Sequence, residues 1–265
     1  MSERSERRPV PFRGGGFAPA PRVILPWIVF IVLIALWQAA SSAGLLPALF
    51  MPSPAAIVNA LVELWLNGTL VEHISASLQR IIPGWIIGTA AGLAVGTAMG
   101  IFSAARAAGL PIVSALFPIP KIALLPLLIL WFGIGEPSKV ATIALGVFFP
   151  TVISAYSACD SVPRNLIRMA QSFGLPATDI VAKIILPGSM PGILAGFRIS
   201  ASVALLLVVA AEMIGAQYGI GAFVLQAGNL MQTDQLLAGV VILSLFGLAV
   251  GKLINMLEAR LLHWR

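Results

Sequence analysis

Three ionisable side chains stand inside long apolar runs: Lys121 in LFPIPKIALLP, Arg198 in LAGFRIS and Glu212 in VVAAEMIGAQYGIG. A charged group in such surroundings contacts a polar solute, pairs with an opposite charge or caps carbonyls freed from a helix. For Lys121 both a functional role and carbonyl capping are open, and for Glu212 a bond to backbone or to a partner such as Lys121. Two cations against one anion leave a slight positive excess, which suits an anion. Covalent or metal chemistry has little to draw on. The imidazoles are His73 and His263, both expected outside the apolar runs, and Cys159 is the only thiol. One cysteine forms no intrachain disulfide and no thiolate cluster, so it reads as a small buried hydrophobe. No HExxH, GxSxG or GxxxxGK[ST] pattern occurs, which argues against a metalloprotease, a hydrolase and a chain that hydrolyses ATP itself.

Composition sets the elements that hold these residues. Of 265 residues, 59% are hydrophobic and 10% charged, and the mean hydropathy is +0.99. That is far too apolar for a water-soluble domain, so the chain's solvent is a lipid bilayer. The formal charge is +6, but the basic residues sit at segment ends and are not interleaved with aromatics, which argues against nucleic acid as a partner. Residues 23–43 form an uncharged run, and a bilayer core needs roughly 20 apolar residues. Comparable runs follow at 81–105, about 109–131, 140–159, about 191–216 and 235–257. The expected fold is all-α, a polytopic membrane protein with six transmembrane helices. The basic head MSERSERRPVPFR resembles the start of a signal peptide, but the run after it exceeds the roughly 7 to 15 residues of a cleaved signal core, so it is read as an uncleaved first span.

Six spans return the chain to its starting side. Arg4, Arg7, Arg8, Arg13 and Arg22 precede the first span, Arg106 lies between the second and third, Arg164, Arg168 and Lys183 between the fourth and fifth, and Arg260 and Arg265 at the end. All fall on one side, with little more than Arg80 and Lys139 opposite. The positive-inside rule therefore predicts two cytoplasmic termini. Residues 1–22 read as a flexible cytoplasmic tail and 23–265 as the membrane domain. Residues 53–67 carry Ile57, Leu61, Leu64 and Trp65 at helical spacing and read as an amphipathic helix at the outer interface.

Inside the spans, Gly84, Gly88, Gly92, Gly96 and Gly100 recur every four residues. That spacing makes a helix face on which another backbone can pack closely. The third span holds Pro111, Pro118, Pro120 and Pro126, each of which removes a backbone hydrogen bond. It must be kinked or unwound, and in lipid that is tolerated only where protein or a water-filled cavity covers it. Lys121 and Pro120 are for this reason candidates for a translocation path or gate, as are Glu212, Gly219 and Gly221. After Glu212, QYGIGAFVLQAGNLMQTD reads as a short helix dipping back at the outer mouth, with Thr233 or Asp234 capping the next helix.

Between the fourth and fifth spans, about 164–190, the chain reads RMAQSFGLPATDIVAKIILP. Gly174 permits a tight bend. Asp179 and Lys183 are spaced i to i+4 on a short helix, Leu175, Ile180 and Ile184 give it an apolar face, and Pro187 is expected to help end it. This stretch resembles the EAA loop of permease subunits of ATP-binding-cassette importers, E-A-A-x3-G-x9-I-x-L-P. Ala170, Gly174, Ile184, Leu186 and Pro187 match, while Arg168 stands where the family has an acid and Met169 where it has alanine. PIPKIALLPLLILWFGIGEPSK, ILPGSMPGILAGFRIS, AAEMIGAQYGIG and QTDQLLAGVVI are similar to the branch that imports aliphatic sulfonates, taurine or nitrate.

The resemblance implies a type I importer permease in a prokaryotic inner membrane, a transport subunit and not an enzyme. It also implies a permease homodimer, two ATPase subunits that use ATP and Mg on the cytoplasmic side, and an extracytoplasmic binding protein, with no cofactor on this chain. The coupling helix would dock the ATPase through Arg168, Ala170, Gly174, Leu175, Asp179, Ile180, Lys183, Ile184, Leu186 and Pro187. The expected cargo is an aliphatic sulfonate or taurine, with nitrate or another small solute such as a pyrimidine as alternatives. An autonomous ion-coupled carrier is disfavoured, because intramembrane acids are few and no inverted repeat is evident.

Overall fold

A computed structural model describes residues 24–262. The expected tail 1–22, and His263 and Arg265, lie outside the described residues. The chain divides into two compact units, one ending at Ile57 and one beginning at Val58.

In the first unit, α1 (Leu25–Ser42) is apolar all round and buries none of its residues, as a span facing lipid would. Its end is tied off by Gln38, whose Oε1 accepts from the Ala55 N–H at 3.1 Å while Nε2 donates to Ser42 Oγ at 3.1 Å. Ser53 Oγ accepts from the Ala56 N–H at 3.1 Å and so caps α2 (Pro54–Leu66). A helix thus occupies the stretch 53–67 that the sequence reading took as amphipathic. The unit boundary falls within α2, and in the part that belongs to the second unit Ala60 and Leu64 are buried while Trp65 is exposed.

The second unit is built on α3 (Thr69–Ile101) and α6 (Glu136–Asp160), which run side by side in the same direction. All five glycines of the stripe face α6. A Cβ on Gly84 would lie 2.8 Å from Ile143 Cβ, one on Gly92 would lie 2.7 Å from the Phe148 carbonyl oxygen, and those on Gly88 and Gly100 would run into the Ala144 carbonyl and Cys159 Cβ. Only hydrogen fits there, which lets the backbones touch and adds dispersion along the seam. Against the other side of α6 packs α9 (Leu186–Gly215), running oppositely, with Gly196 opposite Ser154 and Gly192 opposite Ala158. Ile143, Val147, Ala204 and Val208 close the seam as a buried cluster. Trp85 on α3 reaches α9 by donating Nε1–H to Ser200 Oγ at 3.0 Å.

The proline-rich third span is broken rather than curved. It consists of α4 (Ser103–Leu116), a 3-10 turn at Lys121–Leu124 and α5 (Leu125–Phe132), bent by 86°. The remaining elements are α7 (Arg164–Ser172), α8 (Ala177–Ile180), α10 (Ile220–Asn229) and α11 (Thr233–Leu261). Among the described residues five helices are long and apolar enough to cross a bilayer, and six when the bent pair counts as one span.

Three of the differences from the sequence reading have a local physical cause. Helix α3 begins at Thr69, about three turns before the expected 81, because its first turns carry His73, Ser77 and Arg80 on the buried face and these depress the local hydropathy. Gln232, not Thr233 or Asp234, holds the N-cap position of α11, since helical geometry starts one residue earlier. Pro187 does not end a helix. The chain stays helical from Ala177 to Gly215, passing through a π-helical turn at Val181–Ile185 where the Leu186 N–H bonds to the Val181 carbonyl. That wider turn absorbs the register break that a proline imposes.

Candidate functional site

Two constellations stand out, one at the starts of α3 and α6 and one in the loop after α6. The first centres on Glu212, 1% exposed near the end of α9. A buried carboxylate requires donors around it, and four side-chain or backbone contacts supply them. Arg80 Nη1 donates to Oε1 at 2.7 Å, Ser77 Oγ lies 2.8 and 3.0 Å from the two oxygens, and the Gly221 N–H donates to Oε2 at 2.9 Å. Ser77 Oγ also accepts from the Ile220 N–H at 2.9 Å, so both hydrogen-bonding roles of the hydroxyl are used. Arg80 also donates from Nη1 to the Tyr218 carbonyl at 2.6 Å. Its Nε and Nη2 fork onto Glu136, the Nη2 bond measuring 2.9 Å. Lys139 Nζ lies 3.5 Å from the same Glu136 carboxylate.

The YGIG turn that joins α9 to α10 folds over this ion pair. Gly219 has φ +133°, and a Cβ there would lie 2.6 Å from Arg80 Nη1, while a Cβ on Gly221 would lie 2.9 Å from Val209 Cα. His73 Nδ1 sits 3.0 Å from the Gly219 nitrogen and 2.9 Å from its carbonyl oxygen. The cluster therefore locks α10 to α3, α6 and α9 in one polar knot.

The sequence reading placed Glu212, Gly219 and Gly221 among the candidates, and the structure brings these three together. It corrects two expectations. The partner of Glu212 is Arg80, not Lys121, and Arg80 and Lys139 are buried in helices rather than lying in an outer loop. Lys121 spends its ammonium on the carbonyls of Leu116 (2.6 Å), Phe117 (3.2 Å) and Ile119 (2.8 Å) and stands 4.3 Å from the Phe149 ring centroid. It staples the 86° bend, directly after Pro120. Arg198 pairs with Glu258 at 3.0 Å and also bonds Asn255, so among the named charges Lys121 alone is held by carbonyls and not by a carboxylate.

One signal in the sequence pointed to the missed residues. The glycine stripe, extended backward from Gly84 at steps of three and four, lands on Arg80, Ser77, His73 and Leu70, and all of these are buried. Glu136 and Lys139 open α6 at the same level.

The second constellation is the loop from Arg164 to Pro187. Helix α7 ends in a Schellman turn: the Leu175 N–H bonds to the Ala170 carbonyl at 3.1 Å, the Gly174 N–H to that of Gln171 at 3.0 Å, and Gly174 takes φ +72°. Asp179 and Lys183 form an ion pair of 2.7 Å. Ala170 and Ile180 are buried and brace the loop from within, whereas Leu175 and Ile184 are half-buried and Arg168 and Lys183 are exposed. Leu166, Met169 and Phe173 make an outward apolar ridge on α7, Phe173 being 76% exposed. No group of His, Cys, Asp and Glu suited to a metal occurs among the described residues.

Several bilayer-length helices packed along a glycine-lined seam, with a braced loop after α6, define a multi-pass helical membrane protein. Residues 84–263 match the family described as binding-protein-dependent transport system inner membrane component, and the chain belongs to that family. It is 36% identical over 238 residues to the taurine transport system permease protein of Escherichia coli, covering 88% of this chain and 86% of that one. It is 35% identical over 234 residues to a Bacillus subtilis protein named as an aliphatic sulfonates transport permease, covering 88% and 85%. Among solved structures it resembles the inward-facing MetNI methionine ABC transporter with a TM-score of 0.65 at 20% identity, covering 74% of this chain and 97% of that one. That likeness is one of fold. The chain is accordingly a transport permease subunit and not an enzyme.

Proposed function

We propose that the chain forms the transmembrane path of an ATP-driven importer for a small aliphatic sulfonate or taurine. In this reading it lies in a prokaryotic inner membrane with both termini cytoplasmic. It pairs with a second copy, carries two ATPase subunits on the α7 side and receives cargo from an extracytoplasmic binding protein. ATP and Mg belong to the ATPase. The observation that carries the reading is the loop from Arg164 to Pro187, whose Schellman turn and internal ion pair hold an apolar ridge outward on a rigid support. Such a ridge suits a partner's groove. The named transport roles of the sulfonate and taurine relatives support the cargo class. The Arg80–Glu212 cluster serves as the gating element, because it fixes α10 at the opposite end of the bundle.

The test is reconstitution in liposomes with the cognate ATPase and binding protein, scoring ATP hydrolysis with taurine, butanesulfonate, nitrate or a neutral pyrimidine. Stimulation by the sulfonates is expected. Stimulation by nitrate or the pyrimidine alone would move the reading to that cargo. Uptake by this chain without any ATPase would overturn it in favour of an autonomous ion-coupled carrier.

A further inference from the structure

At the end of the bundle that carries α7 lies a cleft of about 410 Å³, within the size range of small-molecule sites. Its floor is apolar, made by Met99, Cys159, Val162, Ile167 and Ile185. Its rim is cationic. Arg106 comes from the first turn of α4, and Arg164 and Arg168 from one side of α7. A single carboxylate faces them, that of Asp160, and it is occupied by Arg106 at 3.1 Å. Arg106 is held further by the Tyr156 ring, 5.2 Å away. The N-cap positions of α4 and α7 are Phe102 and Pro163, neither of which supplies a side-chain cap. The carbonyl ends of α3 and α6 reach the same cleft, at Ile101 and Asp160, so the helix termini oppose one another and the positive potential is that of the guanidiniums.

An apolar floor under three guanidinium groups is complementary to a molecule that is greasy at one end and anionic at the other. Guanidinium forks match tetrahedral oxyanions bidentately, and alkyl carbons gain by leaving water for the floor. We propose that this cleft binds a small amphiphilic anion, an alkyl chain ending in a tetrahedral oxyanion. A free alkanesulfonate and the phosphate of an anionic lipid share that chemistry. The site stands apart from the Glu212 cluster, and it does not depend on which cargo the chain transports.

The experiment uses the permease–ATPase complex in nanodiscs of phosphatidylcholine, titrated with hexanesulfonate, hexanol and sulfate by calorimetry. Hexanesulfonate should bind more tightly than either fragment. Arg164→Gln should weaken it on the order of tenfold, Arg164→Lys should retain most of it, and Arg106→Gln with Arg164→Gln should abolish it. Absence of hexanesulfonate binding, or binding that Arg164→Gln leaves unchanged, overturns the proposal. The latter result is also what occupation of the transport path alone would give. Repeating the titration in nanodiscs containing phosphatidylglycerol identifies the source. Suppressed binding assigns the cleft to a lipid headgroup, and undiminished binding assigns it to a soluble anion. Because binding is read without transport, failure here leaves the sulfonate reading of the cargo standing, and failure of that reading leaves the cleft standing.

Discussion

Arg80 divides its N–H donors between a carboxylate sealed from solvent and one that is 57% exposed. The two partners are not equivalent. Stripping Arg80 back to alanine leaves Glu212 charged, buried and short of its cation, a situation that costs about 3–5 kcal/mol. Neutralising Glu136, whose carboxylate is open to solvent, leaves Arg80 with Glu212 and so costs less. Arg80→Ala should therefore lower the melting temperature of the purified complex sharply and Glu136→Gln only slightly, as read by thermal unfolding in detergent. Equal effects of the two substitutions would show that Glu212 does not depend on Arg80. Of this knot hydropathy picked out Glu212 but not its partners, because it is an average along the chain and discards the direction in which a side chain points. Ser77 and Arg80 look like loop residues to a window but fall on the buried face of α3. Lys121 presents the converse: its place among the prolines was legible, while its use in holding three carbonyls of a broken helix depends on a bend that the prolines permit but do not aim.

Helices α3 and α6 form the element on which the rest hangs, and there the sequence was informative. Five glycines at four-residue spacing can only make a stripe, and a stripe of that kind in lipid is a contact face. What spacing did not reveal is the partner, because any helix with small or β-branched residues could have filled it. The packing makes a sharp contrast available. A methyl on Gly88 meets the Ala144 carbonyl, which belongs to a backbone and cannot step aside, whereas a Cβ on Gly251 in α11 meets nothing within 4 Å. Gly88→Ala should force the two helices apart and reduce the yield of folded protein several-fold. Gly251→Ala should be neutral or stabilising by about 0.5–1 kcal/mol through helix propensity alone. Size-exclusion profiles and melting curves of the two variants decide the matter, and a Gly88→Ala protein as stable as the parent would refute close backbone contact along the stripe.

At the scale of the whole molecule, one helical path joins the two constellations. From Ala177 the chain runs helically to Gly215, so Asp179 of the proposed docking loop and Glu212 of the polar knot lie on a single rod, about 50 Å apart along its axis. The loop's spacing was legible because Gly174 is needed at φ +72° and few residues take that conformation. The rod was hidden by Pro187, which reads as a stop and is instead carried through a π-helical turn. Gly174→Val should break the turn and abolish copurification of the ATPase, while Gly174→Asn, which tolerates positive φ, should keep it. Full assembly of the valine variant would separate the turn from docking. Stiffness of the rod is the remaining requirement. A push delivered at α8 reaches Glu212 only if the intervening turns move together, and glycine in a helix interior weakens it by about 1 kcal/mol per site. Ala182→Gly with Ala195→Gly, both at exposed positions, should leave ATPase copurification and basal ATP hydrolysis near the parent values. The same pair should lower the stimulation by cargo-loaded binding protein several-fold. Stimulation that survives undiminished would mean that energy reaches the polar knot by another route, through the bent α4–α5 pair that packs against α6.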